Sequence, residues 1–226
     1  AVVWRFKVAD QTWSLPAVDA ETGRLFVGNN NLLPLLGRNT FGITENGDEV
    51  WSTSAIGTVA ASPLLTPDGT VVVGGFDGFV RAYSAVTGDV RWTFGTRDHV
   101  YASPSLHTSG AIIQASADGT IYALEPDTGA VRWAYDADEP IRSSPAIAGD
   151  GTIYVGSGEG RLFVLNADGT LRWAMRLIAD DRNDLNSSPA LGVDAIYIAG
   201  ESGEVFSVPY DHCLRVTDVR CTVGPS

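Results

Sequence analysis

Short apolar, β-branched runs recur along the chain between glycine-bearing turns, and this alternation predicts its elements. Val71-Val72-Val73 lies between Pro67-Asp68-Gly69 and Asp77-Gly78, and Ile153-Tyr154-Val155 between Gly149-Asp150-Gly151 and Glu159-Gly160. Thr108-Ser109-Gly110 and Asp118-Gly119 punctuate the stretch between them in the same way. Such runs between tight-turn dipeptides read as antiparallel strands joined by hairpins. Another strand follows each second turn, at Phe79 to Tyr83, Ile121 to Leu124 and Leu162 to Leu165. A last strand carries a tryptophan, and Gly47, Gly88, Gly129 and Gly169 stand four residues before Trp51, Trp92, Trp133 and Trp173. Four strands, A to D, therefore repeat.

Two residue types keep the phase. Trp4, Trp51, Trp92, Trp133 and Trp173 precede Pro16, Pro63, Pro104, Pro145 and Pro189 by 12, 12, 12, 12 and 16 residues. Each proline opens an inner strand, as in Ala61-Ser62-Pro63, Ala102-Ser103-Pro104, Ser143-Ser144-Pro145 and Ser187-Ser188-Pro189. The spacing of 41 residues from Trp51 to Trp92 to Trp133 matches a four-stranded blade and excludes the shorter helical repeats. The expected fold is all-β, a single five-bladed β-propeller of four-stranded antiparallel blades over residues 1–210, followed by a tail over 211–226. Val2-Val3-Trp4-Arg5-Phe6 has the context of a strand D with no A, B or C before it, whereas the last unit has A (Ser188 to Leu191), B (Ala195 to Ile198) and C (Glu204 to Val208) and no tryptophan. The N-terminal strand is accordingly expected to complete the fifth blade and close the ring, which removes exposed edges. The alternative is a piece of an eight-bladed ring.

Ala82-Tyr83, Thr87-Gly88 and Trp92, with Ala123-Leu124, Thr128-Gly129 and Trp133, resemble the tryptophan-docking repeat of the quinoprotein-type (PQQ-like) β-propellers. Asn46-Gly47 with Trp51 and Asp168-Gly169 with Trp173 are shortened versions. The resemblance covers residues 1 to 210 and implies that each indole packs between neighbouring blades, a task suited to a large flat ring with one donor nitrogen. It implies little about activity, because one fold hosts many functions. A dehydrogenase of that family would carry two adjacent cysteines, a calcium held by carboxylate and amide ligands, a catalytic Asp and eight blades. This chain has no adjacent cysteines and is too short, so no PQQ is expected.

Charge narrows the partners. The formal net charge is −12, with Lys7 the single lysine, which excludes nucleic acid. The chain has no apolar run long enough to span a membrane as a helix, and it is expected to act as a monomer. Both cysteines, Cys213 and Cys221, lie in the tail. A disulfide between them is the preferred reading and would place the protein in an exported, oxidising compartment. A metal site with His212 and two free thiols are the other readings. His99, His107 and His212 are scattered, and no nucleophile elbow, phosphate loop or zinc helix motif occurs. Asp77, Asp118 and Glu159 recur in phase, but an acid before glycine is what a hairpin turn requires.

Departures from the repeat mark where something was added. The proline-to-tryptophan distance is 35 residues in the first unit against 29, 29 and 28 later, an excess falling between Asn29 and Thr40 and including Leu32, Leu33, Leu35 and Leu36. The second insertion, Ile178 to Asn186, includes Asp180, Asp181, Asn183 and Asp184. B–C and D–A loops emerge on one face, and functional loops concentrate on such faces of rigid scaffolds. The leucines form either a satellite cluster or an exposed patch for a protein or peptide. The acids form either a solvated loop or hard oxygen ligands for Ca²⁺, without the glycine and glutamate of a hand-type site. Three residues before each repeat proline stand Trp13, Ala60, Tyr101, Arg142 and Asn186, which do not repeat and are expected to ring the channel mouth. Trp13 and Tyr101 suit stacking, and Arg142 suits an anion. The expected site is therefore Trp13, Tyr101, Arg142 and Asn186, flanked by Leu33, Leu35, Asp181 and Asp184. Its expected role is non-catalytic recognition of a protein, peptide or small ligand, the alternative being a glycan-directed enzyme or lectin-like binder at the channel mouth.

Overall fold

In a computed structural model of the chain, residues 2–8, 11–30, 38–53, 59–179, 185–201 and 203–225 are described. They form five antiparallel sheets in chain order. The first holds β1 (Ala17–Val18), β2 (Leu25–Gly28), β3 (Thr40–Ile43) and β4 (Glu49–Thr53), and the second β5 (Leu64–Leu65), β6 (Thr70–Gly74), β7 (Phe79–Ser84) and β8 (Val90–Gly95). The third holds β9 (Ser105–Leu106), β10 (Ile112–Ala115), β11 (Thr120–Leu124) and β12 (Val131–Asp136), and the fourth β13 (Ala146–Ile147), β14 (Ile153–Gly156), β15 (Arg161–Leu165) and β16 (Leu171–Arg176). The fifth holds β17 (Ala190–Leu191), β18 (Ala195–Ala199) and β19 (Val205–Pro209). Consecutive strands are neighbours throughout, as tight turns dictate. The phased acids build those turns. Asp77 accepts the Phe79 amide at 3.3 Å, and Asp118 accepts the Thr120 amide at 2.8 Å beside Gly78 and Gly119, both at positive φ.

The chain divides into two compact units, Ala1–Pro104 with Pro126–Gly129 and Ser105–Glu125 with Ala130–Ser226. In the first, Phe26 and Trp51 bury against Val71, Val73 and Tyr83. In the second, Tyr154, Trp173 and Met175 bury with Ile196, Ile198 and Val208. The repeat tryptophans make the joints. A Cβ placed on Gly88 would stand 2.7 Å from the Trp51 ring, one on Gly129 2.5 Å from Trp92 and one on Gly169 2.4 Å from Trp133, and all three glycines have positive φ. Only glycine permits that backbone and that approach together. The indole N–H of Trp51 donates to the Ala85 carbonyl at 3.0 Å and that of Trp92 to Pro126 at 2.7 Å, so neither indole donor is stranded. Serines before the repeat prolines form a second joint. The Leu15 amide donates to Ser62 Oγ at 2.9 Å, the Ser62 amide to Ser103 Oγ at 2.8 Å, and the Ser144 amide to Ser188 Oγ at 3.2 Å.

Ring closure at the two ends of the chain is not confirmed. Residues 2–8 form no strand, the fifth sheet has three strands among the described residues, and the expected closing pair is not among the pairings formed. Trp4 packs on the first sheet, its N–H donating to the Glu45 carbonyl at 2.8 Å with its ring against Gly47, while Phe6 meets Phe41 edge-on at 5.5 Å. After β19 the tail forms a short helix, α1 (His212–Arg215), and returns as β20 (Cys221–Val223), a fifth strand on β16 with Trp173 opposite Val223. The Tyr210 carbonyl accepts the Trp173 indole N–H at 3.2 Å. Cys213 and Cys221 are disulfide-bonded, with Cα atoms 5.6 Å apart.

Candidate functional site

Each loop that follows a tryptophan strand is clamped by one apolar residue. Val100 is fully buried, its amide donating to the Gly75 carbonyl at 3.1 Å and its methyl filling the space a side chain at Gly74 would need. Val59, Ile141 and Leu185 are buried at the same phase, their amides donating to Asn29, Ser116 and Ser157. Ala60, Tyr101, Arg142 and Asn186 come immediately after these plugs, so the chain leaves the core at those positions. The plugs were readable as apolar residues four before Pro63, Pro104, Pro145 and Pro189. Sequence reasoning passed over them because Val, Ile and Leu are what any strand contains.

Tyr101 enters an aromatic cluster in the first unit. Its ring centroid is 4.4 Å from Phe76 and 5.9 Å from His99, with Phe76 and His99 5.7 Å apart. His99 Nδ1 also hydrogen-bonds the Phe76 carbonyl, and the Thr96 hydroxyl donates to Gly78 O at 2.8 Å, so the post-tryptophan loop is fastened to the β6–β7 turn. Beside the cluster, Phe79 is 40% exposed with the Arg81 guanidinium 5.0 Å above its ring, and Arg81 pairs with Asp77 at 2.5 Å. At the same phases the third sheet has Ala117, Thr120, Pro140 and Arg142, so the aromatic group does not recur there.

Trp13, Arg142 and Asn186 have surroundings of their own. Trp13 is 62% exposed, and its indole N–H donates to Gln11 Oε1 at 3.0 Å. Arg142 is exposed, and Asn186, half-buried, donates to Glu201 Oε1 at 2.5 Å. Leu33, Leu35, Asp181 and Asp184 lie outside the described residues. Among ionisable groups, Glu139 is unusual: it is 3% exposed, accepts the Ser157 hydroxyl at 2.5 Å and pairs with Arg161, with Arg176 at 3.9 Å. A buried carboxylate so partnered anchors a loop. His107 is equally buried, bridging Ser109 Oγ and the Gly151 carbonyl at 2.8 Å each. Burial pushes the Tyr154 hydroxyl up to about 12. In the tail, His212, Asp218 and Cys221 come close, but the Cys221 sulfur is in the disulfide. Arg220, at 2.6 Å, followed by its amide and by His212, holds the Asp218 carboxyl well below the usual carboxylate range.

Antiparallel four-stranded sheets repeating on one period, jointed by tryptophan on glycine, define a β-propeller repeat protein. The chain belongs to the PQQ-like repeat family: the family profile described as outer membrane protein assembly factor BamB matches residues 1–109 and again 42–212. The crystal structure of BamB from Moraxella catarrhalis superposes with a TM-score of 0.72 at 21% identity, covering 91% of this chain and 63% of that one. The computationally designed Ika8 protein superposes with a TM-score of 0.64 at 15% identity, covering 82% of this chain and 55% of its own. This chain thus spans less than two thirds of the length of either structure. No curated protein sequence matches it.

Proposed function

We propose that the chain is an exported, five-bladed, non-catalytic module that recognises proteins through its loop face, with the Phe76–His99–Tyr101 cluster at the centre of the contact. One observation carries this reading: the cluster breaks the repeat at a position where the backbone is clamped. Positions that serve only blade packing recur in phase, whereas a contact with an asymmetric partner differs from blade to blade. Half-exposed aromatics on a rigid scaffold supply contact area at low entropic cost, the profile of an interaction hot spot. The family description, an outer membrane protein assembly factor, makes protein the natural ligand class. The disulfide agrees with an oxidising, exported compartment. The phased acids are engaged in turns and ion pairs, and the chain's two cysteines are bonded to each other, so no vicinal pair is offered to a quinone.

Panning a phage-displayed peptide pool on the intact protein tests the reading. Selected peptides should bind at least about tenfold more weakly, roughly 1.4 kcal/mol, to Phe76→Ala and Tyr101→Ala. Asp150→Ala, in the turn between β13 and β14, should leave binding unchanged. Peptides indifferent to both aromatic changes but lost with the turn change would refute the choice of face. A pool that yields no binder, together with a protein that retains glycans in an affinity column, would refute protein recognition.

A further inference from the structure

We propose that, once the Cys213–Cys221 disulfide is reduced, His212, Cys213, Asp218 and Cys221 bind a single zinc ion, so that the tail is fastened either by a sulfur–sulfur bond or by a metal. Among the described residues, the His212 imidazole nitrogen, an Asp218 carboxylate oxygen and the Cys221 sulfur all lie within 4.8 Å of one another. Cys213 supplies the fourth ligand, since its sulfur is bonded to that of Cys221. His212 Nε2 stands 3.5 Å from Asp218 Oδ2, long for a hydrogen bond. It is the edge length of a tetrahedron around zinc, roughly 3.3–3.8 Å for metal bonds of about 2.0–2.3 Å. Two thiolates and an imidazole suit zinc and not the hard cations, which take oxygen.

The fold gathers these groups without a metal. His212 and Cys213 open α1, with Cys213 buried at 4% exposure. The Cys221 amide donates to the Asp218 carbonyl at 2.9 Å, closing the turn that brings the carboxylate and the second sulfur together, and β20 holds Cys221 opposite Met175. The Cα atoms of Cys213 and Cys221 are 5.6 Å apart. Two thiolates on one zinc lie about 3.8 Å apart, a separation that side-chain rotation supplies from that backbone.

Charge balances as well. Two thiolates and a carboxylate around Zn²⁺ leave one excess negative charge, and Arg220 offsets it, its guanidinium donating to the two Asp218 oxygens at 3.0 and 2.6 Å. An outer donor of this kind fixes the orientation of a ligating carboxylate. A cleft of about 370 Å³ lined by Cys213, Thr217, Asp218 and Cys221 gives the ion a path to the sulfurs. A dithiol reductant throws the switch: two electrons and two protons pass to the sulfurs, giving two cysteine thiols and the reductant's own disulfide, and zinc then displaces both thiol protons to water. Either fastener keeps β20 on β16 and the Tyr210 carbonyl on the Trp173 indole.

Metal titration of the intact protein, reduced with a phosphine and freed of it without air, tests the site. The reduced protein should take up one zinc or one cobalt per chain, cobalt showing the visible bands of tetrahedral coordination and thiolate-to-metal charge transfer, and the oxidised protein should take up neither. His212→Ala and Asp218→Asn should each weaken zinc binding at least about tenfold in competition with a chromophoric chelator, the asparagine oxygen still accepting the Arg220 amide. Where reduction loosens the tail, zinc should return β16 and β20 to the hydrogen-exchange protection of the oxidised protein and should leave Cys213→Ser/Cys221→Ser unaffected. No uptake by the reduced protein overturns the inference, as does equal uptake by the oxidised protein. So does binding that both ligand variants leave unchanged, or zinc bound to a loosened tail without the return of protection.

Discussion

If the tryptophan–glycine joint determines how sheets meet, alanine at three glycines of one unit should give three distinct costs. Gly149 has no heavy atom within 4 Å of an added Cβ and no positive φ, so Gly149→Ala should be neutral or stabilise by about 0.5 kcal/mol through the unfolded chain. Gly110 also has open space but a φ of 83°, and Gly110→Ala should cost only the left-handed backbone penalty, roughly 1–2 kcal/mol. Gly169 combines a φ of 86° with a Cβ position 2.4 Å from the Trp133 ring. That distance is about 1 Å inside ordinary contact, so the indole or the backbone must shift, which adds about 1–3 kcal/mol of overpacking. Gly169→Ala should therefore cost roughly 2–5 kcal/mol. Urea unfolding followed by tryptophan fluorescence and circular dichroism measures all three. On a Trp133→Leu background the Gly169→Ala cost should fall toward that of Gly110→Ala, a coupling that a double-mutant cycle reads directly. If Gly169→Ala and Gly110→Ala agree within about 0.5 kcal/mol in the parent protein, the joint is not what fixes the sheets, and the reasoning fails.

Two further expectations concern the second unit. Cys213→Ser should cost about 2–3 kcal/mol, the loop-closure contribution of a ring this short, and should increase hydrogen exchange along β16 as β20 detaches; unchanged protection would show that β20 binds without the disulfide. Tyr154 has its hydroxyl raised from 10 to about 12, so its neutral form favours the fold: its contribution is fully present below pH 10 and lost as pH rises toward 12. The loss should be on the order of 1–2 kcal/mol after discounting for solvent at the hydroxyl, it should be absent in Tyr154→Phe, and equal alkaline profiles for the two proteins would contradict it.

The sheets were legible in the sequence because each joint needs a residue that few others can replace: tryptophan for the flat donor ring, glycine for the space beneath it, proline at the inner strand. The site was less legible for the opposite reason. Val100 and Ile141 plug their loops with side chains common to every strand, and Glu139 looks like a solvated loop acid until Arg161 and Ser157 are seen around it. Phe76 and Tyr101 are 25 residues apart and become neighbours only when one loop is clamped onto another. Nor could the strand-like pattern of residues 2–6 tell that the segment forms no strand, because strand pairing depends on a distant edge and not on the strand's own residues. The three residues of β20 were too few to register as a strand.

The serine bonds near the inner strands have an effect on counting. The Leu15 amide to Ser62 and the Ser62 amide to Ser103 are the same contact repeated, each blade supplying a hydroxyl for the blade before it. A joint that is alike at successive steps holds no record of how many steps have been taken. These serine joints therefore do not record the number of blades, and a gene that gained or lost one 41-residue unit would encode a protein that can form the same serine joints.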